Sequence, residues 1–271
     1  MPSPWPDETR VGVFETLAVV RGRPVALEAH WRRLCESQQT VGRARPPSSL
    51  KAAIRRAARG APGLRVALTT TRSAPTRVEI LPRASRRPPA GGVTVVTATG
   101  RAASAAALPA QVKTIERIPS ILAWGEAGAG GTAPGTLAQV PLAVPPAPTS
   151  RAPFEILWCN AQGLVTEGTV SNLFLVRRGG LVTPPVWVGA LPGVTRQAVC
   201  RLARRLTLSV EETPVTRHEL YTAEEAFVTN SLVGVAAIRV ADGRRIGARC
   251  PGPVTRRLQR AYAARLRRGA A

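Results

Sequence analysis

The sequence predicts an α+β fold in two domains. Two observations carry this expectation. Strand-like and helix-like segments are interspersed along the 271 residues without a regular strand–helix–strand repeat. A Gly/Pro/Ala/Ser tract at 125–153, almost without charge, interrupts them and reads as a flexible insertion. The expected units are an N-terminal α/β domain at 1–105 and a larger C-terminal domain at 106–271. A chain of this length can bury a sizeable core either way.

The elements follow in order. V-G-V-F-E-T-L-A-V-V at 11–20 predicts a strand, and R-G-R-P turns it into a short second one. A helix is expected from about Glu28, where Trp31, Leu34, Cys35 and Gln38 fall at i, i+3, i+4 and i+7. A second helix starts near Ser48, a good N-cap, and stops at Gly60. Runs at 64–71, 77–82 and 93–98 predict neighbouring, antiparallel strands. Residues 99–110 form a small-residue connector. A helix is expected through Ile118, Ile121, Leu122 and Trp124, with Pro119 in its first turn. Beyond the tract, F-E-I-L-W-C, N-A-Q-G and L-V-T-E predict a hairpin. Strand 172–177 turns at R-R-G-G into another. P-G-V-T-R-Q-A-V-C-R-L-A-R-R-L predicts a helix, E-A-F-V-T-N a strand and Val254–Arg268 a closing amphipathic helix.

The formal charge of +22 invites a polyanion-binding reading. Only Lys51 and Lys113 among the 38 basic residues are lysine, and the arginines are scattered. With aromatics at 4% there is no base-stacking platform. Specific nucleic-acid recognition is not expected; salt-sensitive polyanion association stays open as the non-enzyme alternative. No segment reaches the roughly 20 apolar residues of a membrane span, and the polar start does not look like a secretory signal. The cytosol is the expected compartment. Cys35, Cys159, Cys200 and Cys250 form no C-x-x-C pair, and His30 and His218 are the only histidines, so no metal site is expected.

Four features carry chemistry. In a chain that writes arginine almost everywhere, Lys113 stands where arginine would not serve, because lysine can lose its proton and act as an amine nucleophile. Its alternative is a surface lysine. T-E-G-T-V-S-N, from Thr166 to Asn172, puts Glu167 beside Gly168 at a strand end, where a carboxylate can approach a flat ring; a solvated hairpin corner reads equally from the residues. L-P-G-V-T-R opens a helix, and its first N–H groups with the Thr195 hydroxyl make a phosphate seat or a plain helix entry. Arg33 in A-H-W-R-R-L offers a forked contact to phosphate, or is merely solvated.

The order of these motifs resembles the fold-type IV pyridoxal-phosphate enzymes: branched-chain and D-amino acid aminotransferases and 4-amino-4-deoxychorismate lyase. The resemblance spans 11–245 apart from the tract. It rests on G-V-F-E-T-L, R-P-V-x-L-E-A-H-W-R-R-L, V-K-T-I-E-R, T-E-G-T-V-S-N-L-F-L-V, L-V-T-P-P, L-P-G-V-T-R and E-A-F-V-T-N-S-L. It implies a two-domain enzyme with pyridoxal 5′-phosphate at the domain interface, acting on an amine or amino acid as a homodimer. Lys113 matches the cofactor-carrying lysine and proton shuttle, and Glu167 the partner of the ring nitrogen. Arg33, Val194, Thr195 and Ser231 match the phosphate contacts. Ser171 and Asn172 match residues that shape the pocket behind Glu167.

Some positions depart from the pattern. Ala18 stands where many relatives have arginine, so Arg65 or Arg72 is the candidate for a substrate carboxylate. Phe14 stands where the D-amino acid enzymes have tyrosine. The K-x-x-x-R spacing of Lys113 and Arg117, the T-N-S-L-x-G-V segment and the short length look most like the lyase branch, because the branched-chain enzymes carry a glycine-rich T-G-T-A-like segment there. The expected activity is 4-amino-4-deoxychorismate lyase. D-amino acid, branched-chain or (R)-amine transamination is the runner-up.

Overall fold

The computed structural model describes residues 11–70, 76–85, 87–98, 112–114 and 153–268. The expected helix after Lys113, the insertion at 125–153 except Pro153, Arg72 and Arg117 lie outside them.

The first unit is a four-stranded sheet, β2-β1-β3-β4, built from β1 (Val11–Val20), β2 (Arg23–Pro24), β3 (Gly63–Thr70) and β4 (Arg77–Pro82). Alternation along β1 decides what each face does. Val13 and Leu17 point to a core shared with α1 (Leu27–Thr40) and α2 (Ser49–Ala57), through Leu27, Leu34, Leu50 and Ile54. Phe14, Thr16 and Ala18 point the other way. Thr16 pairs with Arg65 across to β3, so Arg65 shares the face of Phe14. The α1 periodicity holds, although polar His30, Arg33, Ser37 and Gln38 are buried along with its apolar residues. Ser48 precedes α2 in helical conformation and makes no side-chain cap.

The second unit is a ten-stranded mixed sheet. Its strands are β5 (Val93–Ala98), β6 (Glu155–Cys159), β7 (Leu164–Gly168), β8 (Asn172–Arg177), β9 (Gly180–Thr183), β10 (Val210–Glu212), β11 (Val215–Thr216), β12 (Glu225–Asn230), β13 (Gly234–Ala241) and β14 (Arg244–Arg245). They run β10-β9-β8-β12-β13-β5-β6-β7-β11, with β14 beside β13. One face packs on α3 (Val194–Arg205) and α5 (Pro253–Arg267) through Phe174, Val199, Ala203, Phe227, Leu258 and Tyr262. The short α4 (Arg217–Tyr221) opens with a capping box between Thr216 and Glu219.

One expectation meets a different arrangement. β5 lies on the N-terminal side of the expected boundary at 105, yet it runs parallel to both β13 and β6 in the second sheet. Local pattern predicts the strand but not its partners, because its neighbours lie far away in sequence. Among the described residues, no helix is long and apolar enough to cross a membrane and no His/Cys/Asp/Glu group could hold a metal ion.

Candidate active site

The site assembles where the two sheets meet. Phe14 N–H donates to the Lys113 carbonyl at 2.9 Å, and Val13 bridges Thr114, so the lysine is fastened to the back of β1. Lys113 Nζ then lies 4.9 Å from the Phe14 ring centroid, and Arg65 Cζ lies 4.3 Å from it. One aromatic ring thus holds an ammonium and a buried guanidinium near each other.

Glu167 is the last residue but one of β7, held by neighbours on two other segments. Its Oε2 accepts from Leu191 N–H at 2.8 Å and from Asn172 Nδ2 at 3.0 Å. Asn172 also donates to the Leu191 carbonyl at 2.8 Å, tying the L-P-G-V-T-R loop to β8. A Cβ on Gly193 would collide with the Asn172 amide oxygen, which explains the glycine. Although Glu167 is only half-buried, loss of solvation pushes its carboxyl up to about 8; the Leu191 N–H and Lys113 only partly oppose this, and Glu155 adds to it.

Behind Glu167 sits a residue that the sequence reading missed. Glu155 is buried and accepts from Thr169 N–H and Oγ1, Val170 N–H, Ser171 Oγ and Ile156 N–H. It clamps the turn that follows Glu167, and a Cβ at Gly168 would fall 2.7 Å from its Cδ. Ser171 therefore serves this clamp. The missed signal was a carboxylate leading an otherwise apolar strand, β6, which pairs with the β7 strand that runs into the T-E-G-T-V-S turn.

The far end of the site is polar and buried. α3 starts at Val194 with Gly193 as N-cap and no side-chain cap, leaving the first N–H groups of a twelve-residue helix to face a ligand. Thr195 is buried at this start, and Ser231 Oγ lies 3.4 Å from His30 Nε2. Val194, Thr195, Ser231 and His30 line one cleft together with Ala18. Thr229 pairs across to Asn172 and so shares its face; its hydroxyl is buried with no hydrogen-bond partner among the described residues.

Arg33 stands differently from the simple phosphate contact expected. Its Nε and Nη2 make a forked pair with Glu15 at 2.7 Å each, and Nη1 donates to the Pro192 carbonyl at 3.1 Å. Of its five N–H donors, two are left for an anion. His30 Nδ1 meets the same Glu15 at 2.7 Å. Burial alone would raise Glu15, but the Arg33 and His30 contacts hold it well below the usual carboxylate range. Burial keeps His30 below the usual imidazole value, against the pull of Glu15. Glu15→Gln is expected to destabilise the fold by about 3–5 kcal/mol by leaving a buried guanidinium without its counter-charge. Since the native pKa is depressed, the loss is full at neutral pH and shrinks as the pH falls below the usual carboxylate value. Urea melts at pH 7 and pH 3.5 check both points.

These features suit one elongated ligand. A carboxylate unstable in its charged form asks for an N–H⁺ partner, an uncapped helix start with hydroxyls asks for a phosphate, and a lysine stands between the two sheets. Residues 12–133 and 149–241 match the amino-transferase class IV family, and the chain belongs to that family of enzymes, which use pyridoxal 5′-phosphate.

Individual relatives refine the picture. The branched-chain-amino-acid aminotransferase of Escherichia coli is 40% identical over 103 residues, covering 38% of this chain and 33% of that protein. The chain thus spans about a third of the length of the curated relatives it matches. A branched-chain aminotransferase from Thermoproteus uzoniensis, solved with norvaline, superposes with a TM-score of 0.77 at 27% identity, over 96% of this chain and 86% of that one. A Legionella pneumophila protein provisionally described as a 4-amino-4-deoxychorismate lyase has a TM-score of 0.73 at 23% identity, over 95% and 91%; it shows the shared fold alone.

Proposed function

We propose that this chain is a pyridoxal-phosphate lyase acting on 4-amino-4-deoxychorismate, releasing pyruvate and leaving p-aminobenzoate for folate synthesis. The observation that carries the choice of branch is the turn after β12. Asn230 Oδ1 accepts from Leu232 N–H at 3.0 Å and Val233 N–H at 2.9 Å, so the turn is closed on itself. Those amides are spent internally, and a substrate carboxylate needs another donor. Arg65, buried over Phe14 and near Lys113, is that donor in this reading.

Bound pyridoxal phosphate supplies an electron sink that acidifies the C–H beside the substrate nitrogen. The roles of the chain's own residues follow. Lys113 carries the cofactor and moves the proton at the amine-bearing carbon. Glu167 keeps the ring nitrogen protonated. Arg33, Val194, Thr195 and Ser231 bind the phosphate; Asn172 orients Glu167, and Ser171 with Glu155 stiffens the turn behind it. Phe14 excludes water beside Lys113. The proposed setting is a homodimer in the cytoplasm, with the insertion at 125–153 as read from the sequence and the domain division ahead of β5 rather than at 105/106.

Transamination of a branched-chain amino acid is the second reading, favoured by the 40% identity with the E. coli aminotransferase. The polyanion-binding alternative loses its ground to membership of an enzyme family. The test incubates purified, cofactor-loaded protein with each substrate and follows pyruvate release against keto-acid formation. Pyruvate from aminodeoxychorismate at no more than the blank rate, with keto acid from leucine, reverses the choice. Under the lyase reading, Arg65→Gln is expected to raise KM about tenfold or more while kcat falls less, one charge-assisted contact being lost; steady-state kinetics check this.

A further inference from the structure

Tyr262 sits on the last helix, far in sequence from every motif that drew attention to the site. Its side chain is 6% exposed and packs in the core formed by α3, α5, β12 and β13. Two contacts give it a more particular position. Its hydroxyl end lies beside the Thr195 side chain at the start of α3, in the cleft that both residues line. Its ring closes on Gly234, where an added Cβ would lie 3.1 Å from Cε1. Gly234 has φ +75° and ends the turn that carries Ser231. A single rigid side chain therefore touches both segments of the proposed phosphate seat. Tyr262, Thr195 and Ser231 line the same cleft.

That cleft also has a strongly positive outer wall. Arg201 of α3 and Arg265 of α5 line it together with Tyr262, and no Asp or Glu among the described residues does. Neither helix contains an acidic residue.

We propose that Tyr262 is a positioning residue for the cofactor phosphate: through Thr195 and the Ser231–Gly234 turn it fixes two segments at the spacing one phosphate requires. The proposal rests on the assignment of Val194, Thr195 and Ser231 to the phosphate. The physical argument is preorganisation. A Thr195 hydroxyl held by a buried partner has less rotational freedom to lose when the phosphate arrives, and the helix start is held by the same contact. The last helix thereby sets how tightly the cofactor is kept, while the reacting end near Lys113 is untouched.

The experiment measures equilibrium binding and release of pyridoxal phosphate, and separately of pyridoxal, which lacks the phosphate. It uses the full chain as wild type, Tyr262→Phe, Thr195→Val and the double variant. Tyr262→Phe keeps the ring against Gly234 and removes only the hydroxyl, so the fold is retained; thermal melts of the cofactor-free proteins verify this. For Tyr262→Phe the expected result is about a tenfold weaker hold on pyridoxal phosphate and no change for pyridoxal. The double variant should be no weaker than Thr195→Val alone, because both changes break one contact. If Thr195→Val weakens pyridoxal phosphate and Tyr262→Phe does not, the role of Tyr262 falls while the phosphate seat stands. If neither variant affects binding, the seat itself is misassigned and the proposal falls with it. Equal weakening for pyridoxal and pyridoxal phosphate would show a general packing effect and also overturn it.

Discussion

Lys113→Ala and Lys113→Arg are both expected to lower turnover by at least ~10⁴-fold, with the fold intact. The two variants test different things. Alanine removes the amine altogether. Arginine keeps the positive charge beside Phe14 but cannot give up its proton, so a purely electrostatic role would survive the change and a nucleophilic one would not. Lys113 is anchored by backbone contacts, Phe14 N–H to its carbonyl and the bridge from Val13 to Thr114, which neither substitution removes. Borohydride treatment of the cofactor-loaded protein followed by peptide mass mapping gives the direct measurement. Wild type should carry the label on the peptide containing Lys113 and neither variant should carry it there. Label on Lys51 instead would overturn the assignment. That outcome goes against the structure, since Lys51 Nζ is 2.6 Å from Glu28 on the outer surface of the first unit.

Glu167→Gln is expected to reduce turnover by about 10²–10³-fold while the cofactor still binds. Glutamine preserves the shape and can still accept from Leu191 N–H, so the loop stays in place. What disappears is the negative charge that the proposed role sets opposite a protonated ring nitrogen. Steady-state kinetics and the absorbance of the bound cofactor report the two effects separately. A second consequence concerns the cofactor-free chain. The Glu167 carboxyl is pushed up to about 8 against an ordinary value near 4.5. A raised carboxyl pKa means the folded state holds a proton that the unfolded state has released, so wild-type stability declines as pH rises from about 4.5 to about 8. Glu167→Gln lacks this decline. Without cofactor it should be the more stable protein at pH 8, by ~2 kcal/mol once the partial exposure of Glu167 is discounted. The difference should vanish at pH 4. Cofactor-free melts across that range, showing parallel curves for the two proteins, would sink this account.

The sequence showed the fold well where local rules decide it. β1, β3, β4, the β6–β7 hairpin, α3 and α5 lie within a residue or two of where alternation, turn residues and helical spacing put them. It was weaker where partners are distant. β5 was visible as a strand, but its place between β13 and β6 depends on pairings with residues far along the chain. The site shows the same division. Lys113, Glu167, Asn172 and Thr195 stood out because their residue types or motifs are unusual in place. Glu15 and Glu155 did not, because a single carboxylate in a strand ordinarily marks a solvent-facing position. The period-2 pattern held a usable hint: it puts Glu15 on the same face as Val13 and Leu17, which is a costly position unless a counter-charge is present. The counter-charge was in plain view at Arg33, read there as reserved for phosphate. Tyr262 had no local signal at all.

The contact from Arg33 to the Pro192 carbonyl crosses from α1 to the residue preceding the N-cap of α3. Small displacements of the first sheet should thereby be transmitted to the proposed phosphate seat. Core changes around Leu34 or Ile54, which touch no ligand, should then show first as a leaky holoenzyme rather than a molten one. On gentle warming, such proteins would turn colourless and idle at temperatures where their circular dichroism is still native. Their shelf life would follow the supply of vitamin B6 in the buffer more closely than their intrinsic folding strength.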